Sequence, residues 1–139
     1  MIEISGQYGD AKADKLFWPM HRRLNDIFSS RMRRDYGHNV LELAIILRVS
    51  GAGVDFKSEG PERLFFRKKG KYLEIDLAIP RDAWERKPQP EVRQYLADGL
   101  RACFVVLKAK LSKVDKAADV KSWEADFESS VAEFLAEPV

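Results

Sequence analysis

The sequence is poor in the residues from which reaction centres are most often built. It holds one cysteine, Cys103, and two histidines, His21 and His38, in 139 residues. A lone cysteine closes no internal disulfide, which suits a reducing compartment or indifference to redox. Two histidines with no His-x-x-x-His spacing leave a tetrahedral zinc site short of ligands. No serine sits in a G-x-S-x-G setting, so the nucleophile, base and orienting acid of acyl transfer are not spelled out. Ser50-Gly-Ala-Gly53 lacks the third glycine and the following helix of a dinucleotide loop. No metal and no cofactor is expected.

An excess of one charge is missing too. The net charge is +2, without the overall field of a dedicated nucleic-acid binder. Long apolar runs are absent, and uncharged stretches such as Leu43 to Leu47 fall far short of a bilayer span. The opening Met1-Ile-Glu-Ile-Ser5 lacks the basic and apolar regions of a signal peptide. The protein is therefore expected in the cytoplasm, with no membrane partner.

What is present describes a folded chain. Hydrophobic residues make up 45% and charged residues 33%, which excludes disorder and suits a small domain with a heavily charged surface. The length predicts one domain over 1–139, able to bury a core without staples. Leu41, Leu43, Ile45, Leu47 and Val49 alternate with Glu42 and Arg48. Leu73, Ile75, Leu77 and Ile79 alternate with Tyr72, Glu74 and Asp76. Period two marks strands, and one apolar face against one mixed face predicts an antiparallel sheet with one wet side. Further strands are expected at 2–5, at Val54–Phe56 and at Glu62–Lys68, with a hairpin at Gly70.

Helical spacing appears on either side of these strands. Phe17, Met20, Leu24, Ile27 and Phe28 form a stripe between Asp10 and Asp35. Pro19 falls within it and predicts a kink or a start there. Val92, Leu96, Leu100, Cys103, Leu107 and Leu111 predict a main helix beginning at Pro90. Cys103 reads as an inert core thiol. Trp123, Phe127, Val131 and Phe134 predict a last helix over Val120–Ala136 with Ser122 as its N-cap. The expected fold is α+β: a single antiparallel β-sheet, a meander of three to four strands, packed against an N-terminal helix and two C-terminal helices.

Charge is segregated along the chain. Seven basic and four acidic residues between Asp10 and Asp35 give a local +3, and Asp115 to Val139 carries a local −5. Three surfaces are candidates for function. Glu74 and Asp76, two apart on one strand, could serve as the acid and base of a hydrolase, could be a solvated face with ion pairs, or could form a docking surface. Arg63, Arg67, Lys68, Lys69 and Lys71 could grip a nucleic-acid backbone or keep an edge soluble; nucleic acid is not the expected partner. His21, beside Arg22 and Arg23, reads as a surface residue, and His38 as a turn residue.

Leu47-Arg-Val-Ser-Gly51, Asp55-Phe56, Glu59-Gly-Pro-Glu-Arg-Leu64, Asp76, Ile79-Pro80 and Trp84 form a pattern across residues 36–112. It resembles small immunity proteins of bacterial polymorphic-toxin systems, contact-dependent growth inhibition among them. The resemblance implies a non-enzymatic protein that binds a cognate toxin domain, often a nuclease, and occludes it. Inhibitors of basic nucleases are commonly acidic, whereas this chain is slightly basic, so acidity would have to be local. The expected toxin-binding residues are Glu42, Arg48, Glu62, Glu74, Asp76, Glu124 and Glu128.

Overall fold

The computed structural model describes residues 2–32, 42–50, 63–67, 72–81, 84–114 and 119–138. Its elements run β1 (Ile2–Gln7), α1 (Ala11–Arg31), β2 (Glu42–Ser50), β3 (Arg63–Arg67), β4 (Tyr72–Pro80), α2 (Gln89–Val114) and α3 (Val120–Ala136). The strands form one sheet in the order β1-β2-β4-β3.

The expected antiparallel meander is corrected by this topology. β1 pairs β2 in parallel, and β2 pairs β4 in parallel; β3 pairs β4 antiparallel. The reason lies in the connections. A 21-residue helix separates β1 from β2, enough chain to return the second strand in the direction of the first. β4 then enters between β2 and β3 instead of extending a hairpin ladder. The C-terminal ends of β1, β2 and β4 consequently meet at one end of the sheet. Gln7 lies in register with Arg48, and Arg48 with Ala78.

The β1–α1 junction explains its own sequence. Gly9 takes φ 62°, a left-handed turn that suits glycine. Asp10 caps α1, its Oδ1 accepting the amides of Lys12 at 2.9 Å and Ala13 at 3.1 Å. α1 runs through Pro19, so the helix does not start there. Proline has no N–H to donate to the Lys15 carbonyl one turn back.

One face of the sheet carries the core. Ile2, Ile4, Ile45, Leu47, Ile75, Leu77 and Ile79 join Phe17, Leu24 and Phe28 of α1 and Leu96, Leu100 and Leu107 of α2 in a single cluster. α1 packs over β1 and α2 over β4, while α3 packs chiefly on α1 and also on α2. Trp123, Phe127, Val131 and Phe134 of α3 are all fully buried. Phe127 stacks on Phe104 at 4.4 Å between ring centroids and meets Phe28 edge-on at 5.1 Å. Cys103 is fully buried, and desolvation pushes its thiol pKa up, as expected of an inert core thiol.

Two further expectations are corrected. The N-cap of α3 is Asp119, whose Oδ1 accepts the Ser122 amide at 3.1 Å, so Ser122 lies inside the helix instead of capping it. His21 is not a surface residue; it is 5% exposed, with its Nδ1 2.6 Å from the Tyr8 hydroxyl. Desolvation, with Arg22 beside it, lowers its pKa below the ordinary value, and burial raises that of Tyr8. The phenol therefore keeps its proton beside a neutral imidazole, and its hydroxyl also lies 3.5 Å from the Phe17 carbonyl oxygen. Tyr8 lies directly over Gly6: a Cβ built there would be 2.2 Å from the hydroxyl oxygen and 2.3 Å from Cζ.

The expected strand at Val54–Phe56, the glycines at 51 and 53, His38, Glu62 and the hairpin tip at 68–71 lie outside the described residues. For Glu42, Arg63 and Arg67 only the backbone is described.

Candidate functional site

All three helices cover one face of the sheet, and the chemistry worth noting lies on the other. Register places Ser5, Ile46 and Asp76 in one row across β1, β2 and β4, with Glu3, Ala44 and Glu74 in the next. This face was expected to be wet. Its centre is not: Ala44, Ile46, Asp76 and Ala78 are each between 4% and 7% exposed. Glu74 is half-buried and has a partner of its own.

A buried carboxylate needs compensation. Asp76 receives it from the neighbouring strand, where Arg48 Nε donates to Oδ2 at 2.9 Å. The two residues are not level in the ladder. Asp76 is in register with Ile46, so Arg48 reaches it from two residues further along β2. Across the other side of β2, Arg48 Nη1 donates to Gln7 Oε1 at 2.6 Å. One guanidinium thus ties together the three parallel strands.

The pair is lopsided. The Asp76 side chain is 5% exposed and that of Arg48 41%. Asp76 Oδ1 is buried and accepts no hydrogen bond among the described residues, an exception of the kind that asks for an explanation in a folded protein. At the same end of the sheet, Arg81, just past β4, pairs with Asp10, just past β1. Asp10 thereby serves two partners. The Arg81 hydrogen bond, followed by that from Ala13, holds its carboxyl below the ordinary range.

The expected site residues divide. Arg48 and Asp76 are in direct contact, with Glu74 nearby on β4. Glu124 and Glu128 lie elsewhere, on α3, and both are engaged within the chain. Lys108 Nζ is 2.9 Å from Glu124 Oε2, and Arg101 Nε 3.3 Å from Glu128 Oε2. On the other flank of α3, Arg23 pairs with Glu137 and Arg31 with Glu133. The acidic last helix is therefore gripped by basic residues of α1 and α2. The segregation of charge along the sequence becomes pairing in space.

Sequence reasoning missed Gln7, Asp10 and Arg81. Reading β1 as the start of a parallel unit would have brought its C-terminal end beside that of β2. A hydrolase needs Glu74 and Asp76 to converge on a cavity. Asp76 instead gives its Oδ2 to Arg48, while a cleft of about 180 Å³ opens elsewhere, among Lys15, Pro19, Arg23, Gln89, Arg93 and Phe134. There Arg93 serves the backbone: Nη1 donates to the carbonyls of Phe134 at 3.3 Å and Glu137 at 2.6 Å, closing the C-terminal end of α3. Among the described residues, no group of three or more histidines, cysteines or carboxylates is placed to hold a metal ion. No helix among them is long and apolar enough to cross a membrane.

Comparison with curated proteins and with solved structures returned no match. A family model described as Immunity protein 44 matches residues 2–133. It takes in α1 and most of α3, which lie outside the motif pattern at residues 36–112. That coverage is nearly the whole chain, and the protein belongs to the Immunity protein 44 family, immunity proteins of polymorphic toxin systems.

Proposed function

We propose that this protein neutralises a cognate toxin domain in the cytoplasm of the cell that makes it, by covering the toxin's active or substrate-binding surface and without catalysing a reaction. A contact-dependent growth inhibition system is the setting this reading favours, and a nuclease is one toxin class it admits. Family membership supports the partner. One observation supports the surface. On the sheet face that no described helix covers, Arg48 is tied to both neighbouring strands and is still 41% exposed, whereas the acids of α3 pair one-to-one with basic residues of α1 and α2. Fixed charges at a protein surface set register and speed encounter.

The test is co-purification with the toxin domain encoded beside this protein, together with rescue of cells expressing that toxin. A one-to-one complex and restored growth are expected. Absence of both would refute the reading.

A further inference from the structure

We propose that Arg48 is the anchor of the toxin interface, that it takes a carboxylate of the toxin, and that Asp76 and Gln7 are positioning residues that hold its guanidinium ready. The proposal rests on the reading that the helix-free sheet face meets the toxin.

Arg48 keeps donors that the described residues do not use. A guanidinium presents a planar fork of N–H groups and accepts nothing. Arg48 commits Nε to Asp76 and one N–H of Nη1 to Gln7. Its remaining Nη1 proton and both protons of Nη2 have no partner among the described residues. Those groups form the terminal edge of the fork, the edge that fits the two oxygens of a carboxylate side by side. A protein partner supplies that chemistry as aspartate or glutamate.

The second step concerns entropy. A free surface arginine must give up rotamer freedom to bind, a recurrent cost of association. Here the freedom is already reduced, because acceptors on β1 and β4 hold Nη1 and Nε from opposite sides of β2. The supports are themselves set by backbone register in a parallel sheet. Asp76, at 5% side-chain exposure, has little room to swing away. A buried carboxylate that accepts only one hydrogen bond is a poor device for stability. It is a good device for aiming an arginine.

The third step is charge. Inhibitors that block a nucleic-acid groove by imitating phosphate present acids. This face carries Glu3 and Glu74 as well, but the group that neighbouring strands hold in place on it is a cation, Arg48. The matching feature on the toxin is an acid, such as a carboxylate of its reaction centre.

The experiment measures affinity between the purified chain and its toxin domain, with melting temperature measured in parallel. Arg48→Lys keeps a positive charge beside Asp76 but loses the fork. It is expected to weaken binding by roughly 30-fold or more. Gln7→Ala is expected to weaken it by roughly 3- to 10-fold with an unchanged melting temperature, and Gln7→Glu, which keeps an acceptor, to restore it. Amide substitution of each exposed toxin acid should reveal one whose effect disappears in Arg48→Lys, the mark of a direct pair. If wild type binds and both Arg48→Lys and Gln7→Ala bind within about 2-fold of it, the proposal is overturned while the function stands. If no toxin acid couples to Arg48, the carboxylate assignment fails. If wild type does not bind the toxin, the functional reading fails and this inference with it. Should Arg48→Lys fold poorly, the Gln7 pair of variants decides the matter alone.

Discussion

The uneven burial of the Arg48–Asp76 pair makes a prediction about stability that does not depend on any partner. Arg48→Ala removes the guanidinium that, among the described residues, compensates a carboxylate of 5% side-chain exposure. Leaving a buried charge without its partner costs roughly 3–5 kcal/mol. The lower end applies here, about 3 kcal/mol, since Arg48 itself is 41% exposed and water lies close. For a domain of this size that is a fall in melting temperature of about 10 °C. Asp76→Ala is different: the arginine left behind can turn to solvent, and an unsatisfied oxygen leaves with the carboxylate. Its cost is about 1 kcal/mol, that of one ordinary net hydrogen bond. The double variant should therefore resemble Asp76→Ala and be more stable than Arg48→Ala alone. Urea unfolding of the four proteins measures this directly. Equal losses in the two single variants, or a double variant whose loss is the sum of both, would refute the reasoning.

Gly6→Ala should destabilise by about 2 kcal/mol, as overpacking does, because Tyr8 cannot leave its place between Phe17, stacked at 5.4 Å, and His21; a melting curve within a degree of wild type would contradict the packing. His21 has a folded pKa below its ordinary 6.5, so the unfolded chain takes up its proton first as pH falls. Stability is thus full above that value and declines as pH drops from it towards the folded pKa. Denaturation at a series of pH values checks the slope, and an imidazole titrating above 6.5 in the folded protein would reverse it. Glu124→Gln and Glu128→Gln should each cost less than about 1 kcal/mol, since both pairs are exposed, and should leave toxin affinity unchanged in the same binding assay.

The elements were legible and their directions were not. Alternation in Leu41–Val49 and Leu73–Ile79 marks β2 and β4 whichever way they run, because side-chain period is the same in both kinds of ladder. What separates the two is connection length and burial of the second face. Both signals were present. Ala44 and Ile46 fall between the core residues of β2, and Ala78 between those of β4, giving the near-continuous apolar run common in parallel strands. Reading Glu42 and Arg48 as the character of that face passed over them. The burial of Asp76 had no local signal, since an acid at an alternate position looks like a wet one until its partner on the next strand is known. The helices fared better, as the stripes of Phe17–Phe28 and Trp123–Phe134 each specify a buried side without reference to topology. The pairing of α3 with α1 and α2 could not be read from opposite charges far apart in sequence. It needed the packing that brings Arg31 to Glu133 and Arg101 to Glu128.

The main chain of Ile4 also bears on how this protein can be held. Its amide, on the outer margin of β1, donates to Asn25 Oδ1 of α1 at 2.8 Å. A row of open amides along a sheet margin invites an incoming chain to add itself as one more strand. Here the helix has stopped one rung of that row with its own side chain. Neither a second copy nor a toxin segment can lengthen the sheet through Ile4 without first evicting Asn25. At that rung an incoming chain meets a side chain instead of an open amide, a contact that a single substitution can rewrite.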